Sequence, residues 1–318
     1  MKPPTPVPGS TGRPPALTGL AAQLAARVSP ATLIRPNEPM AKHTTLRVGG
    51  PADVYVEPAS EEDLAGVVTF CHRHTVKFFL LGRGSNLLVR DGGFRGVVIC
   101  LAHARFSRIE NDGLRLRCGA GAKLKEVAFA AKRLGVSGLE FLEGIPGSVG
   151  GALRMNAGAM GGATFDVIES VRIMDFAGGI RELPAQEMAV EYRSCLMLKD
   201  HFALAAVFKG RSDSPESITQ RMSAFSRRRW ASQPAAPSAG CMFKNPDEIP
   251  AGKLIDELGL KGARVGGAVV APEHGNFIVN LGQATARNIL ELIELVKTKA
   301  KAERGIELEP EVEIIGED

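Results

Sequence analysis

The sequence predicts an α+β protein with two or three domains. The chain has 318 residues, and at roughly 150 residues per domain this length allows two or three compact cores. The first ordered segment has the pattern strand, helix, strand, turn, strand, which indicates a compact α+β lobe. A long amphipathic pattern near the end of the chain, residues 284–304, predicts a helix that closes with Gly305.

The first lobe is predicted from alternating strands and one capped helix. Residues 52–57 alternate as a half-buried strand does, and Ser60 to Asp63 form a capping box ahead of a helix. Short apolar runs then predict strands at 77–81, 87–89 and 97–99. A helix is also expected at 18–28, after a proline-rich stretch at 1–16 that predicts a disordered extension.

The rest of the chain predicts a second lobe and a mostly helical end. Period-2 patterns favour strands, and 3.6-residue spacing favours helices. The predicted strands are 114–118, 167–175 and 202–208, with a last strand at 309–315. The predicted helices are 124–134, 215–229 and 284–304.

Composition excludes several classes of function. The chain has 39 basic and 35 acidic residues, a net charge of +4, which is too balanced to predict a nucleic-acid partner. The five cysteines are an odd number without a CxxC pair, which favours reduced thiols in the cytoplasm and no zinc site. The Cys71–His74 run is interpreted as a helix end, and no metal is expected. No apolar run reaches the ~18 residues of a membrane span, and no secretory signal is recognised.

Two loops of small residues are candidates for phosphate binding. One is Gly82-Arg-Gly-Ser-Asn86, and the other is the glycine-rich run 144–162. Glycine lets backbone N–H groups approach a phosphate closely. Neither loop has the Walker A or the dinucleotide GxGxxG pattern. Both remain open to interpretation as plain tight turns or as the two sides of a diphosphate cradle.

The segment Pro237–Pro246 gathers the most chemistry in the shortest space. It carries the thiol of Cys241, the ammonium of Lys244 and the carboxamide of Asn245, which suit proton donation, anion neutralisation and orientation. Taken alone, it also fits an ordinary turn with a buried cysteine. The basic run 227–229 likewise fits a phosphate clamp or a solvated helix end.

Taken together, these segments resemble the UDP-N-acetylenolpyruvoylglucosamine reductases, flavoproteins of bacterial cell-wall precursor synthesis. The matching motifs follow the family's order from about residue 35 to the C-terminus. They are Val48-Gly-Gly-Pro-Ala-Asp-Val, Gly82-Arg-Gly-Ser-Asn-Leu-Leu-Val, Gly138-Leu-Glu-Phe, Ile145-Pro-Gly-Ser-Val-Gly-Gly, Met155-Asn-Ala-Gly-Ala, Tyr192-Arg-Ser, Ser238-Ala-Gly-Cys-Met-Phe-Lys-Asn-Pro, Gly252-Lys-Leu-Ile-Asp, Leu260-Lys-Gly, Val265-Gly-Gly-Ala, Phe277-Ile-Val-Asn and Leu308-Glu-Pro-Glu-Val-Glu-Ile-Ile-Gly. The short path from Tyr192 to the strand at Phe202 resembles the variant that lacks a substrate-covering insertion.

The resemblance implies a two-lobe FAD-binding module of the vanillyl-alcohol-oxidase/p-cresol-methylhydroxylase type and a C-terminal α/β substrate-binding domain. The implied division is 17–100 and 101–212 for the flavin lobes and 213–318 for the substrate domain, with strand 309–315 returning to the active site. FAD is expected to be non-covalent, with NADPH as the reductant. The implied FAD-binding residues are Gly82, Arg83, Gly84, Ser85, Asn86, Leu87, Ile145, Pro146, Gly147, Ser148, Gly150, Gly151, Asn156 and Gly158.

The resemblance also implies catalytic roles for three residues. Arg193 stabilises the enolate, Glu311 assists as an acid or polariser with a raised pKa, and Cys241 occupies the place of the family's proton-donating serine. A thiol is more acidic than an alcohol, so it can donate the proton unless Arg193 and Lys244 lower its pKa too far. The implied substrate-binding residues are Tyr192, Arg228, Arg229, Lys244, Asn245 and His274.

The expected activity is therefore NADPH-dependent reduction of UDP-N-acetylglucosamine enolpyruvate by a cytoplasmic monomer. Two alternatives stay open. One is a flavin-dependent oxidase of the same superfamily, which the joint presence of Arg193, Glu311 and the Cys241 loop disfavours. The other is a non-catalytic protein that binds flavin or a nucleotide sugar, which the retained donor function of cysteine disfavours.

Overall fold

The computed structural model describes residues 19–318, so the extension expected at 1–16 lies outside the described residues. The first lobe contains a four-stranded sheet in the order β1-β2-β5-β3, in which β2, β5 and β3 are parallel and β1 is antiparallel. Ser60 caps α2 by accepting a hydrogen bond from the Asp63 N–H (3.1 Å), as the sequence predicts. The elements are α1 Gly19–Ala25, β1 Leu33–Pro39, β2 Pro51–Glu57, α2 Glu61–Arg73, β3 Phe78–Leu81, β4 Leu87–Val89 and β5 Phe94–Cys100.

The second lobe is built on a five-stranded antiparallel sheet in the order β12-β11-β15-β7-β6. Helix α3 buries Leu124, Val127 and Ala131 against this lobe. The elements are β6 Ile109–Asp112, β7 Arg115–Gly119, α3 Leu124–Arg133, β8 Val136–Ser137, α4 Val149–Arg154, β9 Gly158–Ala159, β10 Gly162–Ala163, β11 Ile168–Asp175, β12 Ile180–Pro184, β13 Val190–Glu191, β14 Ser194–Cys195, β15 His201–Lys209 and β16 Arg211–Ser212.

The third part of the chain has an antiparallel sheet in the order β17-β20-β19-β18, covered by helices. Helix α7 turns Ile289, Ile293 and Val296 into the core and ends at Gly305, whose φ of 69° is left-handed. The elements are α5 Pro215–Trp230, β17 Ser238–Cys241, α6 Ala251–Glu257, β18 Arg264–Val265, β19 Ala268–Val270, β20 Phe277–Asn280, α7 Ala286–Arg304 and β21 Glu313–Ile315.

The hydrophobic cores do not follow the order of the chain. Leu46, Val48 and Leu88 come from the first lobe but pack into the core of α6 and α7. Ile218 and Met222 of α5 pack instead into the large core that the first and second lobes share. Strand β21 pairs in parallel with β4, so backbone hydrogen bonds also join the first and third parts.

Two local expectations differ from the structure. The predicted strand 309–315 is shortened to β21, because Pro310 has no N–H and the segment before β21 bonds instead to residues 242–244. The glycine-rich run, interpreted as loop, contains the short helix α4. Ser148 caps that helix by accepting a hydrogen bond from Gly151 N–H (3.4 Å), which the glycine content concealed.

Within residues 19–318, none of the helices combines the length and the apolar character needed to cross a membrane.

Candidate active site

Cys241 lies at the end of β17, where the strand departs from regular pairing. The register between β17 and β20 shifts between Ser238 and Cys241, and Gly240 has a φ of 77° that side chains rarely adopt. Asn276 fixes the residues that follow, since its side chain accepts a hydrogen bond from Phe243 N–H (2.9 Å) and donates one to the Phe243 carbonyl (2.8 Å). The half-buried thiol therefore stands on a rigid bend.

The C-terminal segment brings Glu311 beside this bend. The Glu311 N–H donates to the carbonyl of Met242 at 2.8 Å, and the Asn86 amide donates to the Glu311 carbonyl at 3.1 Å. The Gly82–Asn86 loop is thus tied to the same segment that presents Glu311. One of the predicted cofactor-loop residues, Asn86, serves here to hold the two loops together.

Arg193, which belongs to the second lobe, completes the group with Cys241 and Glu311. Its backbone is left-handed (φ 56°), in the turn between β13 and β14. Its Nε lies 3.0 Å from Glu311 Oε1, yet this buried nitrogen has no hydrogen-bond partner in the described residues. The contact is therefore an ion pair whose N–H is not aimed at the carboxylate. A buried N–H left unused is costly unless a ligand accepts from it.

The protonation of the group follows from its burial. Burial, with a smaller contribution from the Glu311 carboxylate, raises the pKa of the Cys241 thiol to about 12, against the opposing charge of Arg193. Burial likewise raises the pKa of Glu311, although Arg193 and Lys244 act to lower it. The direction for Glu311 agrees with the sequence-based expectation. The concern that Arg193 and Lys244 would make Cys241 a thiolate does not apply in this structure.

The two small-residue loops face each other across a cavity between the first and second lobes. A Cβ added at Gly82 would lie 3.0 Å from Ser148 Oγ and 3.7 Å from Gly151 Cα. A Cβ at Gly147 would approach Ser85 Oγ at 3.6 Å. We call the space they border the interlobe cavity, which has a volume of about 570 Å³. Its lining includes five predicted cofactor residues, namely Gly82, Arg83, Ser148, Gly150 and Gly151.

The interlobe cavity suits a dinucleotide such as FAD. Its volume is within the usual range for small-molecule sites, about 300–1,000 Å³. Glycines at the point of closest approach leave backbone N–H groups accessible to a diphosphate. Arg154 also lines the cavity and pairs with Glu313 at 2.8 Å. The sequence motifs did not single out Arg154, Lys123 or the aromatic side chains Phe78, Phe176 and Phe202, which line the same cavity, because no spacing rule relates these positions.

Other predicted cofactor residues have structural contacts. A Cβ at Gly84 would overlap the carbonyl of His43, and one at Gly158 would lie 2.7 Å from the Gly162 carbonyl. Asn156 is left-handed (φ 38°), and its side chain donates to the Glu191 carbonyl (3.2 Å) and accepts from Phe165 N–H (3.2 Å). Asn156 thereby holds the strand that leads to Arg193. The remaining three predicted residues, Leu87, Ile145 and Pro146, do not line the interlobe cavity.

The predicted substrate residues divide into two groups. Lys244 pairs with Glu309 at 3.0 Å and lies close enough to Glu311 to affect its pKa. The Asn245 side chain accepts from Ala251 N–H (3.0 Å) at the start of α6. His274 Nδ1 accepts from Asn276 N–H (3.1 Å), and burial lowers the pKa of its imidazole. Lys244 and Asn245 therefore lie on the loop that follows Cys241, and His274 contacts Asn276, which holds that loop in place.

The second group lies in the turn between β13 and β14 and at the end of α5. Tyr192 has 63% of its surface exposed, with the Arg193 guanidinium carbon 5.3 Å from its ring centroid. Arg228 and Arg229 lie in the last turn of α5, where Arg229 Nε donates to the Gln233 side chain at 3.1 Å. Within residues 19–318, no hydrogen bond or ion pair joins Arg228 or Arg229 to the Cys241 group.

Comparison with known proteins agrees with this geometry. Residues 233–315 match the model of the UDP-N-acetylenolpyruvoylglucosamine reductase C-terminal domain, and residues 52–183 match an FAD binding domain. The UDP-N-acetylenolpyruvoylglucosamine reductase of Clostridium novyi (strain NT) is 42% identical over 287 residues, covering 90% of this chain and 93% of that protein. The chain belongs to the UDP-N-acetylenolpyruvoylglucosamine reductase family. The family membership and the FAD-binding domain expected from the sequence are both confirmed.

Two further relatives support the assignment to this reductase family. The enzyme of the same name from Clostridioides difficile (strain 630) is 42% identical, covering 90% of this chain and 94% of that protein. The crystal structure of UDP-N-acetylenolpyruvylglucosamine reductase (MurB) from Thermus caldophilus superposes with a TM-score of 0.77 at 38% identity, covering 89% of this chain and 98% of that chain. The predicted α+β class, with flavin lobes and a C-terminal reductase domain, is confirmed over nearly the whole chain.

Proposed function

We propose that this protein catalyses the NADPH-dependent reduction of UDP-N-acetylglucosamine enolpyruvate to UDP-N-acetylmuramate, a step of peptidoglycan precursor synthesis. The observation that carries the proposal is the grouping of Cys241, Arg193 and Glu311 from three distant parts of the chain. Arg193 Nε and Glu311 Oε1 are 3.0 Å apart, and Glu311 is hydrogen-bonded to the residue that follows Cys241. Reduction of an enolpyruvyl group needs a proton donor and a group that stabilises the developing anion, and this grouping has a candidate for each.

FAD held in the interlobe cavity would supply a hydride for the methylene carbon of the enolpyruvyl group. The glycines of both loops would hold its diphosphate, together with Arg83, Ser85 and Ser148. Asn86 would act indirectly, through its hydrogen bond to the Glu311 carbonyl (3.1 Å). The full set of residues predicted for FAD from the sequence remains part of this proposal.

Arg193 has the features needed to stabilise the carboxylate of the enolpyruvyl group. When hydride reaches the methylene carbon, negative charge develops on the neighbouring carbon and its carboxylate. The buried Nε–H of Arg193, which has no partner in the described residues, could donate a hydrogen bond to an oxygen of this carboxylate. Because it is already fixed in a strained turn, it needs little reorganisation at the moment of reaction.

Cys241 is the proton donor in this proposal, and Glu311 assists it. The thiol is protonated at neutral pH because burial raises its pKa to about 12. It can therefore give its proton to the carbon that carries the ether oxygen and the carboxylate, leaving a thiolate next to Arg193. Burial raises the pKa of Glu311, which brings its neutral form closer in free energy, and in that form it would donate a hydrogen bond to the same carboxylate.

The other predicted substrate residues complete the proposed substrate site. Lys244 and His274, with Tyr192 and the arginines Arg228 and Arg229, would bind the diphosphate and the nucleotide of the substrate. We further propose that the enzyme works as a cytoplasmic monomer, in three lobes divided at residues 17–100, 101–212 and 213–318. All five cysteines are free in the structure, which suits a reducing compartment.

An anaerobic two-step experiment tests the proposed function. The purified holoprotein is first reduced with NADPH, and UDP-N-acetylglucosamine enolpyruvate is then added while flavin absorbance is followed. Rapid reoxidation by the substrate alone is the expected result. Flavin that stays reduced until oxygen enters would contradict the proposal and favour the oxidase alternative. A protein that binds no FAD would contradict the assignment of both glycine loops.

A further inference from the structure

A second cavity of about 510 Å³ adjoins the interlobe cavity, with which it shares the lining residues Leu81, Gly82, Arg83, Cys100 and Ala102. We call it the Arg47 cavity. One wall is the turn from Lys42 to Arg47, and the others come from β2, from the end of β3 and from the segment before β17. Its lining residues are Lys42, His43, Thr44, Thr45, Arg47, Tyr55, Glu57, Leu81, Gly82, Arg83, Cys100, Ala102, Ala235 and Pro237.

The charge of this cavity is unbalanced toward cations. The exposed residues Lys42, Arg47 and Arg83 line it. Lys42 already pairs with Glu38 at 3.9 Å, and the lining carboxylate of Glu57 accepts the Tyr55 hydroxyl at 2.9 Å, so Arg47 and Arg83 carry the excess charge. In the part of the chain that the structure describes, the side chains of Arg47 and Arg83 form neither an ion pair nor a hydrogen bond with the protein. Two guanidinium groups at one cavity without a counterion attract an anion.

The turn that presents Arg47 is strained and rigid. Arg47 has a φ of 56°, a conformation that residues with a long side chain seldom adopt. Thr44 Oγ1 donates to the Val48 carbonyl at 3.0 Å, and Thr45 Oγ1 donates to the Ser238 carbonyl at 2.6 Å. The neighbours Leu46 and Val48 are buried in the C-terminal core. The strain is therefore maintained by packing on both sides, which fixes the backbone from which the exposed Arg47 side chain extends.

We propose that the Arg47 cavity is a phosphate-binding site, with Arg47 and Lys42 as its own ligands and Arg83 shared with the interlobe cavity. A guanidinium group can donate two parallel hydrogen bonds to two oxygens of one phosphate. An ammonium group attracts the phosphate as a point charge, with less dependence on orientation. The contact of Thr45 with Ser238 puts the cavity next to the strand that carries Cys241. A nucleotide whose reactive end lies at Cys241 thus has a cationic cavity beside its path.

The phosphate can come from two sources. One is the 2′-phosphate of NADPH, in which case the cavity selects NADPH over NADH and the inference rests on the proposed function. The other is a separate phosphorylated ligand that binds without regard to the reductant. Both sources involve the same chemistry, a phosphate group held by Arg47 and Lys42.

Substitutions at two cavity residues test the site. Arg47→Asn removes the guanidinium while keeping a residue that tolerates the left-handed turn, and Lys42→Gln removes an exposed ammonium at the start of the turn together with its 3.9 Å pair to Glu38. Arg73→Gln, at the exposed end of α2 outside both cavities, is the matched control. Flavin absorbance and thermal unfolding of each holoprotein verify that it is folded.

Two measurements on these holoproteins distinguish the sources. The first is the dissociation constant of NADPH and of NADH, taken from the rate of anaerobic flavin reduction. If the 2′-phosphate binds here, Arg47→Asn weakens NADPH binding by about 10- to 100-fold and leaves NADH unchanged, with a smaller effect in Lys42→Gln. The second is calorimetric titration with inorganic pyrophosphate, which needs no turnover.

If both cavity variants lose pyrophosphate binding but keep the preference for NADPH over NADH, the site binds a separate phosphorylated ligand. The proposal would be overturned if Arg47→Asn and Lys42→Gln bind NADPH, NADH and pyrophosphate as tightly as the Arg73→Gln control does. A protein that binds pyrophosphate through Arg47 but fails to reduce UDP-N-acetylglucosamine enolpyruvate would keep the site and contradict only the proposed function.

Discussion

The resemblance drawn from the sequence implies that Cys241 takes the place of a proton-donating serine, and burial in the structure favours the protonated thiol. Burial raises its pKa to about 12, and the nearby Glu311 carboxylate acts in the same direction. Arg193 acts in the opposite direction but does not outweigh them. A thiol in this environment keeps its proton for the reaction and resists the oxidation that thiolates undergo.

The pH dependence of the substrate-reduction step follows from this shift. A donor must be protonated, and a raised pKa extends the protonated range upward. We expect the single-turnover rate of flavin reoxidation by substrate to stay flat from pH ~7 to ~9, across the range where an ordinary thiol titrates near ~8.5. Stopped-flow absorbance measures it.

The Cys241→Ser variant is the control for this profile, since a hydroxyl does not titrate in that range. A wild-type rate that falls with a midpoint near the ordinary thiol pKa, while the serine variant stays flat, would contradict the burial argument.

At the residue scale, the sequence motifs predict three catalytic groups, which remain a proposal, but they do not predict the geometry that brings them together. Cys241, Arg193 and Glu311 were identified by their order within family motifs. That Arg193 is left-handed and leaves a buried N–H unused could not be predicted, because both depend on the packing of β13 and β14 against distant loops. Arg154 and the Arg47 cavity were missed because neither belongs to a recognised motif.

At the scale of elements, helix α5 is attached to the second lobe by a buried charge cluster. Glu140 is only 6% exposed. Its carboxylate accepts from Arg221 Nε at 2.9 Å and from Gly138 N–H at 2.8 Å, and Arg221 also pairs with Asp213 at 2.6 Å. This cluster and the apolar contacts of Ile218 and Met222 fix the helix that ends in the basic run 227–229.

Removal of Arg221 should destabilise the protein through this cluster. The Arg221→Met variant removes two hydrogen bonds from the buried Glu140 carboxylate and leaves it the one from Gly138 N–H, which should cost about 1–3 kcal/mol. The control is Arg117→Met, which breaks a pair between side chains that are 44% and 38% exposed and should cost less than about 1 kcal/mol. Urea denaturation followed by circular dichroism measures both. Equal losses in the two variants would contradict the role of burial.

The sequence predicted the long elements better than the short ones. Helices α2, α3, α5 and α7 start and end within a few residues of the predicted positions, because each has an apolar face and a recognisable start or stop. Strand β21 and helix α4 were misjudged, since the first depends on a proline within the predicted strand and the second hides in a glycine-rich run.

At the scale of the whole molecule, the lobes are interlocked. Leu46, Val48 and Leu88 of the first lobe belong to the C-terminal core, and β4 pairs with β21. Asp91 of the first lobe also accepts hydrogen bonds from the first two N–H groups of α7, both at 2.9 Å. The C-terminal part therefore cannot separate as a rigid body without breaking core contacts and a strand pair.

We expect the described part of the chain to unfold as one unit for this reason. Release of flavin, which reports on the first two lobes, should coincide with the change in circular dichroism in a urea titration. The Leu88→Ala variant should shift both transitions together by about 2–5 kcal/mol, since it removes a fully buried side chain. Two separated transitions would contradict the shared core.

The sharing of cores could not be predicted from the sequence. Leu46, Val48 and Leu88 have the same apolar pattern as residues of the first core, and only the three-dimensional path of the chain assigns them to the other one. The order of motifs along the chain predicts three lobes, whereas the packing between them depends on contacts between residues far apart in the chain.

The most direct test of the account is the reoxidation of reduced flavin by UDP-N-acetylglucosamine enolpyruvate in three proteins: wild type, Cys241→Ser and Cys241→Ala. If Cys241 donates the proton, the serine variant should remain active, whereas the alanine variant should lose about 10²- to 10⁴-fold in the rate of this step. Reduction by NADPH should be unaffected in all three, which makes it the internal control. An alanine variant that reoxidises as fast as wild type would contradict the central role assigned to Cys241.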